Sequence, residues 1–305
     1  MNNDTASMEE KVSVILDTDI GDDIDDTWAL AMLLKSPEVD LRMVVTDYDN
    51  TEWRAKIVAK MLEIAGRTDV PVGIGVKQSD NVGQQGPWVE DYDLSTYPGT
   101  VHRDGVGAMI DEIMSSDGEI TLLCIGPVPN IGEALRREPR IAEKARFVGM
   151  HGSVHKGYGG RAEIDAEWNV RCCTPDCQVA FSALWNMTIT PVDTCGIVTL
   201  EGEKYARVRD CTDPVTAALI ENYRIWADGR DEDAESRSSV LFDTVAVYLA
   251  FSEDLLVMED LGIRVTDDGF TVIDDTAKVV RCATDWKDLS AFEDLLVARL
   301  TGRDV

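Results

Sequence analysis

Six carboxylates follow an apolar segment near the start of the chain, and their type and spacing suit metal chemistry. Within ten consecutive positions after residues 12–16 lie Asp17, Asp19, Asp22, Asp23, Asp25 and Asp26. Two carboxylates 4 Å apart repel by roughly 4 kcal/mol at an effective dielectric constant of about 20. Such a group must protonate, separate or hold a cation, and oxygen ligands suit Ca²⁺ or Mg²⁺. The alternative interpretation is a solvated acidic turn.

The spacing of this cluster excludes an EF-hand, whose calcium loop needs glycine at its sixth position and glutamate at its twelfth. Counted from Asp17, these positions hold Asp22 and Trp28. The cluster instead lies between a predicted strand over residues 12–16 and a predicted helix over residues 25–35. Because ligands bind at the carboxyl edge of an open α/β sheet, we expect a site at this edge.

Strand-like and helix-like segments alternate along the whole chain. Predicted strands cover residues 12–16, 41–46, 70–76, 119–125, 146–150 and 187–190. Predicted helices cover residues 25–35, 52–65, 130–138, 174–184, 213–227, 242–250 and 286–300. This alternation predicts an α/β fold with an open, mostly parallel central sheet and helices on both faces. A small antiparallel element is predicted near the C-terminus over residues 262–266, 270–273 and 278–281.

No segment has the composition of an interdomain linker, so the sequence predicts a single domain over residues 1–305. Residues 1–10 are polar and acidic and are predicted to form a disordered N-terminal extension. Residues 78–102 and 228–239 are long segments without a clear periodic pattern. Segments of this length in a compact domain often act as lids or binding loops, which is the role we expect for both.

The charge balance excludes several classes of partner. The chain has 29 Lys and Arg against 57 Asp and Glu, a formal net charge of −28, which opposes binding to nucleic acid or to an anionic membrane surface. No apolar run reaches the roughly 18 residues that would span a bilayer. Seven cysteines, three histidines and no C-x-x-C pair favour reduced thiols over a zinc site. We therefore expect a cytoplasmic protein that binds neither nucleic acid nor a membrane surface.

The residues 15–33, which read ILDTDIGDDIDDTWALAML, resemble the signature of the inosine–uridine preferring nucleoside hydrolase family. Later motifs resemble the same family in the same order. They are VVTDYDN at 44–50, CIGPVPN at 124–130, Glu-Trp-Asn at 167–169 and Phe-Asp at 242–243, where many members have His-Asp. The resemblance therefore covers nearly the whole chain and implies the nucleoside hydrolase fold.

The resemblance also implies a reaction, a cofactor and a set of site residues. It implies a Ca²⁺-dependent N-ribohydrolase that cleaves a ribonucleoside to free base and ribose, and that forms a homodimer or homotetramer. The implied metal ligands are Asp17, Asp19, Asp26, Asp243 and the carbonyl group of Ile125. Asp19 is also implied as the general base. The implied substrate-binding residues are Asn50, Glu167, Trp168, Asn169, Phe242 and either Asp23 or Asp25, because two additional residues separate the glycine from the final aspartate pair.

Phe242 stands where many members of the family have histidine, and this difference affects how the leaving base can be protonated. A histidine at this position can help to protonate the leaving base, whereas phenylalanine has no proton to donate. Candidates for the base pocket are His102, Tyr223, Arg224 and Trp226. A surface position is the commoner explanation for His102, and core packing is the commoner one for Tyr223 and Trp226, which are three residues apart on a predicted helix.

Two other functions fit parts of the pattern. A haloacid-dehalogenase-type Mg²⁺ phosphatase also opens with strand-Asp-x-Asp. Asp17 would then be the nucleophile, Asp19 its acid/base partner, and the late pair Asp274 and Asp275 would help to bind Mg²⁺. A non-catalytic, Ca²⁺-dependent nucleoside or ribose binder is the third interpretation, and Phe242 is the residue that favours it.

Overall fold

A ten-stranded sheet forms the centre of the computed structural model, which describes residues 11–230 and 232–302. The strands are β1 (Val12–Thr18), β2 (Val39–Thr46), β3 (Val72–Ile74), β4 (Val101–His102), β5 (Ile120–Cys124), β6 (Ala145–Met150), β7 (Met187–Thr190), β8 (Leu256–Val265), β9 (Thr271–Ile273) and β10 (Val279–Trp286). Their spatial order is β4-β3-β2-β1-β5-β6-β7-β10-β8-β9. In this spatial order, every neighbouring pair of strands from β4 through β7 to β10 is parallel. Strand β8 pairs antiparallel with both β10 and β9.

This arrangement confirms the predicted mostly parallel sheet with an antiparallel element near the C-terminus. The extension predicted over residues 1–10 lies outside the described residues. The predicted strand over 70–76 is shorter in the structure, where β3 covers three residues. The helix predicted over 286–300 begins later, at Leu289, because β10 continues through Trp286. Asp288 then caps that helix by accepting a hydrogen bond from the backbone N–H of Ala291, at 3.0 Å.

Helices cover both faces of the sheet, as predicted. They are α1 (Asp25–Leu34), α2 (Thr51–Ile64), α3 (Gly105–Ser115), α4 (Pro129–Arg137), α5 (Trp168–Cys172), α6 (Thr174–Ser182), α7 (Val192–Cys195), α8 (Gly202–Arg209), α9 (Pro214–Asp228), α10 (Phe242–Leu249) and α11 (Leu289–Thr301). Helices α1, α2, α9, α10 and α11 share one apolar cluster, and α3, α4 and α6 share a second on the opposite face. In the described part of the chain, no helix combines the length and the apolar character needed to cross a membrane.

Strand β1 divides its side chains between these two faces, because successive residues of a strand point to opposite sides. Val14 and Leu16 belong to the cluster around α1, whereas Ile15 belongs to the cluster around α4. The alternation continues into the polar end of the strand. Asp17 accepts a hydrogen bond from the side-chain amide of Asn130 in α4, at 2.7 Å. The Thr18 hydroxyl donates to the carboxylate of Asp26 in α1, at 2.5 Å.

The carboxyl end of β1 lies at a point where the order of the strands reverses. The chain runs outward from β1 through β2, β3 and β4, and then returns to place β5 on the other side of β1. The two loops that leave β1 and β5 therefore diverge to opposite sides and open a crevice between them. Crevices of this kind are the usual ligand sites of open α/β sheets. The acidic cluster follows β1 at this crevice.

A buried arginine joins the loop after β1 to the loop after β2, beside the crevice. The side chain of Arg54 in α2 is only 2% exposed. Its guanidinium group donates to the carbonyl groups of Asp19 and Ile20 in the loop after β1, and to that of Tyr48 in the loop after β2; the last two distances are both 3.0 Å. Arg54 therefore fixes the backbone that carries the first acidic residues.

We expect Arg54→Met to lower the free energy of unfolding by about 3 kcal/mol, because it leaves several buried carbonyl groups without donors. Urea denaturation followed by circular dichroism measures this change. Arg103→Met is the matched control, since Arg103 is 71% exposed and pairs with Glu52 at the surface. Such a pair contributes about 1 kcal/mol or less. Equal losses in the two variants would contradict the anchoring role of Arg54.

Candidate active site

The crevice contains a cavity of about 320 Å³, a volume in the range of small-molecule sites. It is lined by Asp19, Asp22, Asp23, Asp25, Asp26, Ile125, Met150, Tyr158, Glu167, Trp168, Asn169, Arg230, Phe242 and Asp243. These residues come from the loops after β1, β5 and β6, from the first turns of α1, α5 and α10, and from the segment after α9. Distant parts of the sequence therefore meet at one edge of the sheet.

Three buried carboxylates converge in this cavity. Asp25, Asp26 and Asp243 each place an oxygen atom within 4.8 Å of the other two, and none of the three is more than 5% exposed. Asp25 and Asp26 occupy the first turn of α1, and Asp243 occupies the first turn of α10. The N-terminal ends of helices stabilise negative charge, so the fold offsets part of the repulsion among these groups.

Burial raises the pKa of every member of this group. The pKa values of Asp25, Asp26 and Asp243 lie well above the usual aspartate range because of desolvation and then of repulsion from neighbouring carboxylates. Without a counterion, burial and mutual repulsion therefore favour the protonated forms of these groups. The donor set consists of hard oxygen atoms, which is the chemistry that Ca²⁺ or Mg²⁺ requires.

Asp19 lies beside these three carboxylates at the edge of the cavity, and it is 8% exposed. Desolvation raises its pKa to about 7, although Arg54 opposes the shift. A carboxylate with this pKa can accept a proton near neutrality. The loop after β5 approaches Asp19 closely at Gly126, where a Cβ atom would lie 2.6 Å from the Asp19 carboxylate. Only glycine fits this contact without displacement.

Glu167 and Asn169 form the wall opposite α1. Glu167 caps α5, and its carboxylate accepts hydrogen bonds from the backbone N–H groups of Asn169 at 2.8 Å and Gly152 at 3.0 Å. Desolvation raises the pKa of Glu167 to about 7, while these bonds lower it. The side-chain amide of Asn169 donates to the carbonyl group of Ile125 at 2.9 Å. The family resemblance assigns the Ile125 carbonyl to the metal and Asn169 to the sugar. The Asn169 side chain therefore orients the carbonyl group that is assigned to the metal.

Aromatic side chains form another part of the wall. The rings of Tyr158 and Phe242 contact edge to face, with centroids 5.9 Å apart. The Tyr158 hydroxyl accepts a hydrogen bond from the backbone N–H of Trp168 at 3.0 Å. Trp168 itself is 45% exposed at the edge of the cavity. This side of the cavity offers flat apolar surfaces to a ligand.

Two of the predicted site residues do not line the cavity. Asp17 is buried on the α4 side of the sheet, where it bonds to Asn130. Asn50 caps α2 by accepting a hydrogen bond from the backbone N–H of Trp53, at 3.2 Å. Asp47 also lies buried beside Asp17, with neither carboxylate oxygen bonded and its pKa well above the usual range because of desolvation. The sequence analysis did not select Asp47, since one aspartate after a strand gives no signal of burial.

None of the four base-pocket candidates lines the cavity. His102 and Arg103 line a separate cavity beside β4. Tyr223 and Trp226 are almost fully buried in the core. Arg224 pairs with Glu235 at 2.6 Å. The structure also brings Met150 and Tyr158 to the cavity, to which the sequence analysis had assigned no role. Asp22 and Arg230 line it as well; the sequence analysis had named them only as parts of the acidic cluster and of the charged segment 228–239.

The residues needed for the phosphatase interpretation are also separated. Asp274 forms an ion pair with Arg264 at 2.8 Å and lines a different cavity, beside α6 and the strands β8 and β9. Asp275 is exposed and lines neither of these cavities. A Mg²⁺ site built from Asp17, Asp19 and this late aspartate pair is therefore not formed within the described residues.

Known proteins resemble the chain over almost its full length. Uridine nucleosidase 1 of Arabidopsis thaliana is 24% identical over 284 residues, covering 89% of this chain and 82% of that protein. A pyrimidine-specific ribonucleoside hydrolase of Escherichia coli is 33% identical over 192 residues, or 57% of each chain. The solved structure of a purine-preferring ribonucleoside hydrolase from Gardnerella vaginalis superposes with a TM-score of 0.77 at 21% identity, covering 95% of this chain and 98% of that one. An inosine-uridine preferring nucleoside hydrolase from Bacillus anthracis gives 0.75 at 18% identity, covering 95% and 99%.

The sequence profile of the inosine-uridine preferring nucleoside hydrolases matches residues 14–294. Together with the relatives, this match defines a hydrolase of N-glycosyl compounds. The chain belongs to the inosine-uridine preferring nucleoside hydrolase family. The family predicted from the motifs is confirmed, and the family supports ribonucleoside N-ribohydrolase activity rather than phosphate ester hydrolysis.

The raised pKa values predict an unusual pH dependence of stability after chelation of metal ions. Asp19 and Glu167 titrate near pH 7 in the folded state but near pH 4 when unfolded, so the folded state binds more protons between these values. The contribution of these groups to stability is therefore largest at acidic pH and is lost as the pH rises through this window. We expect the Tm of the chelated protein to be lower at pH 8 than at pH 5 by at least about 3 °C.

Scanning calorimetry with EDTA, Ca²⁺ or Mg²⁺ at both pH values tests this expectation. A bound cation should raise the Tm more at pH 8 than at pH 5, because it competes with protons for the carboxylates. Asp243→Asn removes one converging charge and should reduce both the pH effect and the cation effect. A chelated protein that is as stable at pH 8 as at pH 5 would show that the cluster does not control stability.

Proposed function

We propose that this chain is a Ca²⁺-dependent N-ribohydrolase that cleaves the N-glycosidic bond of a ribonucleoside to give free base and ribose. The observation that carries the proposal is the convergence of Asp25, Asp26 and Asp243 in a cavity that also contains Asp19 and Glu167. The cavity therefore combines a cation-binding donor set, a carboxylate that can act as a base and polar groups for a sugar.

The buried oxygen atoms fit a divalent cation because they otherwise repel one another or hold protons. We assign the cation to Asp19, Asp26, Asp243 and the Ile125 carbonyl, with Asp25 next to them. Asp17 is left out of this set because it faces α4. Ca²⁺ accepts six to eight oxygen ligands in flexible geometry, which suits so many donors better than Mg²⁺ does. When bound, the cation would acidify a coordinated water and bind hydroxyl groups.

Asp19 is the residue that we assign to proton transfer. Its carboxylate borders the cavity, where it can accept a proton from a water molecule beside it. It would take a proton from the attacking water while the water oxygen approaches C1′ of the ribose. Contacts to Arg54 and Gly126 hold the Asp19 backbone and restrict its side chain, so the base is positioned before the substrate arrives.

Asp25, Glu167 and Asn169 are the residues that we assign to the ribose. Asp25 is preferred to Asp23 because it is buried among the converging carboxylates, whereas the Asp23 side chain is 52% exposed. The Asn169 amide and the Glu167 carboxylate are held by backbone contacts, which orients them for sugar hydroxyls. Such orientation lowers the barrier by several kcal/mol. Asn50 lies outside the cavity and receives no role in this assignment.

Phe242 and Trp168 present the apolar surfaces that suit a base. Their rings border the cavity near the carboxylates, so a base attached to a ribose held there would lie against aromatic carbon. Phe242 has no proton to give. The same fact supports a second candidate function, a nucleoside binder without catalysis, because a site with no assistance for the leaving base would bind and not cleave.

We expect ribose release from at least one ribonucleoside in the presence of Ca²⁺, measured as reducing sugar over a panel of purine and pyrimidine nucleosides. Asp19→Asn should lower kcat by about 10²- to 10⁴-fold, the range for loss of a general base. The exposed Asp117 provides the matched control, since Asp117→Asn makes the same change in charge away from the cavity.

Three outcomes separate the candidate functions. Ribose release that needs Ca²⁺ and Asp19 supports the hydrolase. Tight nucleoside binding by calorimetry with no ribose release supports the binder. Release that continues unchanged with EDTA, or with Mg²⁺ replacing Ca²⁺ at equal rate, removes the Ca²⁺ assignment while leaving the hydrolase.

We further propose that the protein is a cytoplasmic homo-oligomer. The seven cysteines are all free thiols, five of them buried, which is compatible with a reducing compartment. Light scattering coupled to size-exclusion chromatography determines whether the chain is a dimer, a tetramer or a monomer.

A further inference from the structure

A single cationic side chain lies among the carboxylates of the described cavity wall. The carboxylates among the described lining residues are Asp19, Asp22, Asp23, Asp25, Asp26, Glu167 and Asp243, and the only cation among them is Arg230. The lining includes none of the described histidines and no lysine. Arg230 follows α9 and reaches the cavity from the side of Asp22 and Asp23, so it faces the exposed end of the acidic cluster.

Two contacts hold the Arg230 guanidinium in place, and the Asp23 carboxylate lies near it. It lies over the indole ring of Trp226 at 4.7 Å from the ring centroid, and its Nε–H donates to the side-chain oxygen of Gln84 at 2.6 Å. The nearest carboxylate oxygen of Asp23 is 3.9 Å away, too far for a direct hydrogen bond. An arginine has five N–H donors, and within the described part of the chain only the Nε–H of Arg230 is hydrogen-bonded, so its outer nitrogens can receive a ligand.

The residues around Arg230 are also fixed. The indole N–H of Trp226 donates to the carbonyl group of Asp22 at 2.9 Å. The side-chain amide of Gln85 donates to the carbonyl group of Asp23 at 2.7 Å, and its oxygen accepts a bond from Asn222 in α9, also at 2.7 Å. The loop after β1, the segment after β3 and α9 are thus bonded together beside Arg230, which gives the guanidinium a defined position.

Cleavage of an N-glycosidic bond leaves the bonding electron pair on the departing base, and the described cavity wall has no histidine or lysine that could protonate it. Phe242 cannot donate. Burial raises the pKa of Tyr158 far above neutrality, so its hydroxyl is a poor acid, and that oxygen already accepts a bond from Trp168. Glu167 is occupied as the cap of α5. The described wall can instead assist the departure of the base through the positive charge of Arg230, which stabilises negative charge on the base.

We propose that Arg230 stabilises the negative charge that develops on the leaving base and thereby selects ribonucleosides whose base presents a hydrogen-bond acceptor, such as a carbonyl oxygen, towards α9. This inference rests on the proposed N-ribohydrolase function. The bond between C1′ and the base nitrogen breaks, and its electron pair remains on the base. A new bond forms between the water oxygen and C1′, and the water proton passes to Asp19. The base anion, held by Arg230, takes a proton from solvent on release.

The test compares ribosides whose leaving groups differ in how much stabilisation of negative charge they need. Kinetics of wild type and Arg230→Met are measured with uridine, inosine and 4-nitrophenyl riboside. We expect kcat/KM for at least one nucleoside to fall by about 10²- to 10³-fold, as for loss of one preorganised donor to a developing anion. The value for 4-nitrophenyl riboside should change less than about threefold, because nitrophenolate leaves without assistance.

Arg224→Met is the matched control, because Arg224 lies in α9 shortly before Arg230, pairs with Glu235 and does not line the cavity. Addition of guanidinium ion at low millimolar concentration should restore part of the nucleoside activity of Arg230→Ala, which a purely structural role would not permit. Equal losses on nucleosides and on 4-nitrophenyl riboside, or no loss on either, would overturn the role of Arg230. Wild-type protein that releases ribose from none of these substrates would overturn the proposed function as well.

Discussion

Repulsion among carboxylates that are buried together is the constraint on which the rest of this structure depends. Asp25, Asp26 and Asp243 lie within 4.8 Å of one another with almost no contact with water. Desolvation and mutual repulsion both oppose ionisation of these carboxylates. Their combined free-energy cost exceeds the stabilisation by two helix N-termini, since each terminus contributes at most about 2 kcal/mol. A protein retains such an arrangement when a bound cation or a proton balances it. The surrounding polypeptide is organised to keep the oxygen atoms converging in spite of that repulsion.

The sheet contributes by separating acidic residues that are close in sequence. Asp17 points towards α4, where Asn130 binds it, while Thr18 and Asp26 meet on the α1 side. The backbone between the two faces is held by Arg54, and Gly126 lets the loop after β5 pass within contact distance of the Asp19 carboxylate. The negative charge is therefore distributed over two faces of one strand end, and only one of these faces is open to a ligand.

Much of this organisation could be predicted from the sequence, and the failures have physical reasons. The short apolar run of β1 and the Thr174-Pro175 start of α6 are local signals, and both elements occur where predicted. Side-chain direction at Asp19 could not be predicted, because strand alternation stops where β1 ends. Asn50 precedes a helix start and acts as its cap, a local signal that competes with a sugar-binding role. Arg230 reaches the cavity only because α9 packs beside α1, a contact between residues that are distant in sequence.

The position of Asp243 has a consequence for how the chain assembles. Asp25 and Asp26 are fixed within the first helix, but the third carboxylate is delivered by α10, which packs against α1 from more than two hundred residues away. Docking of α10 thus closes a long loop and adds a negative charge to a buried negative site in the same event. Loop closure and charge repulsion both slow such a step. A cation that neutralised the three carboxylates would therefore favour the docking of α10 against α1, in addition to any part that it has in the finished protein.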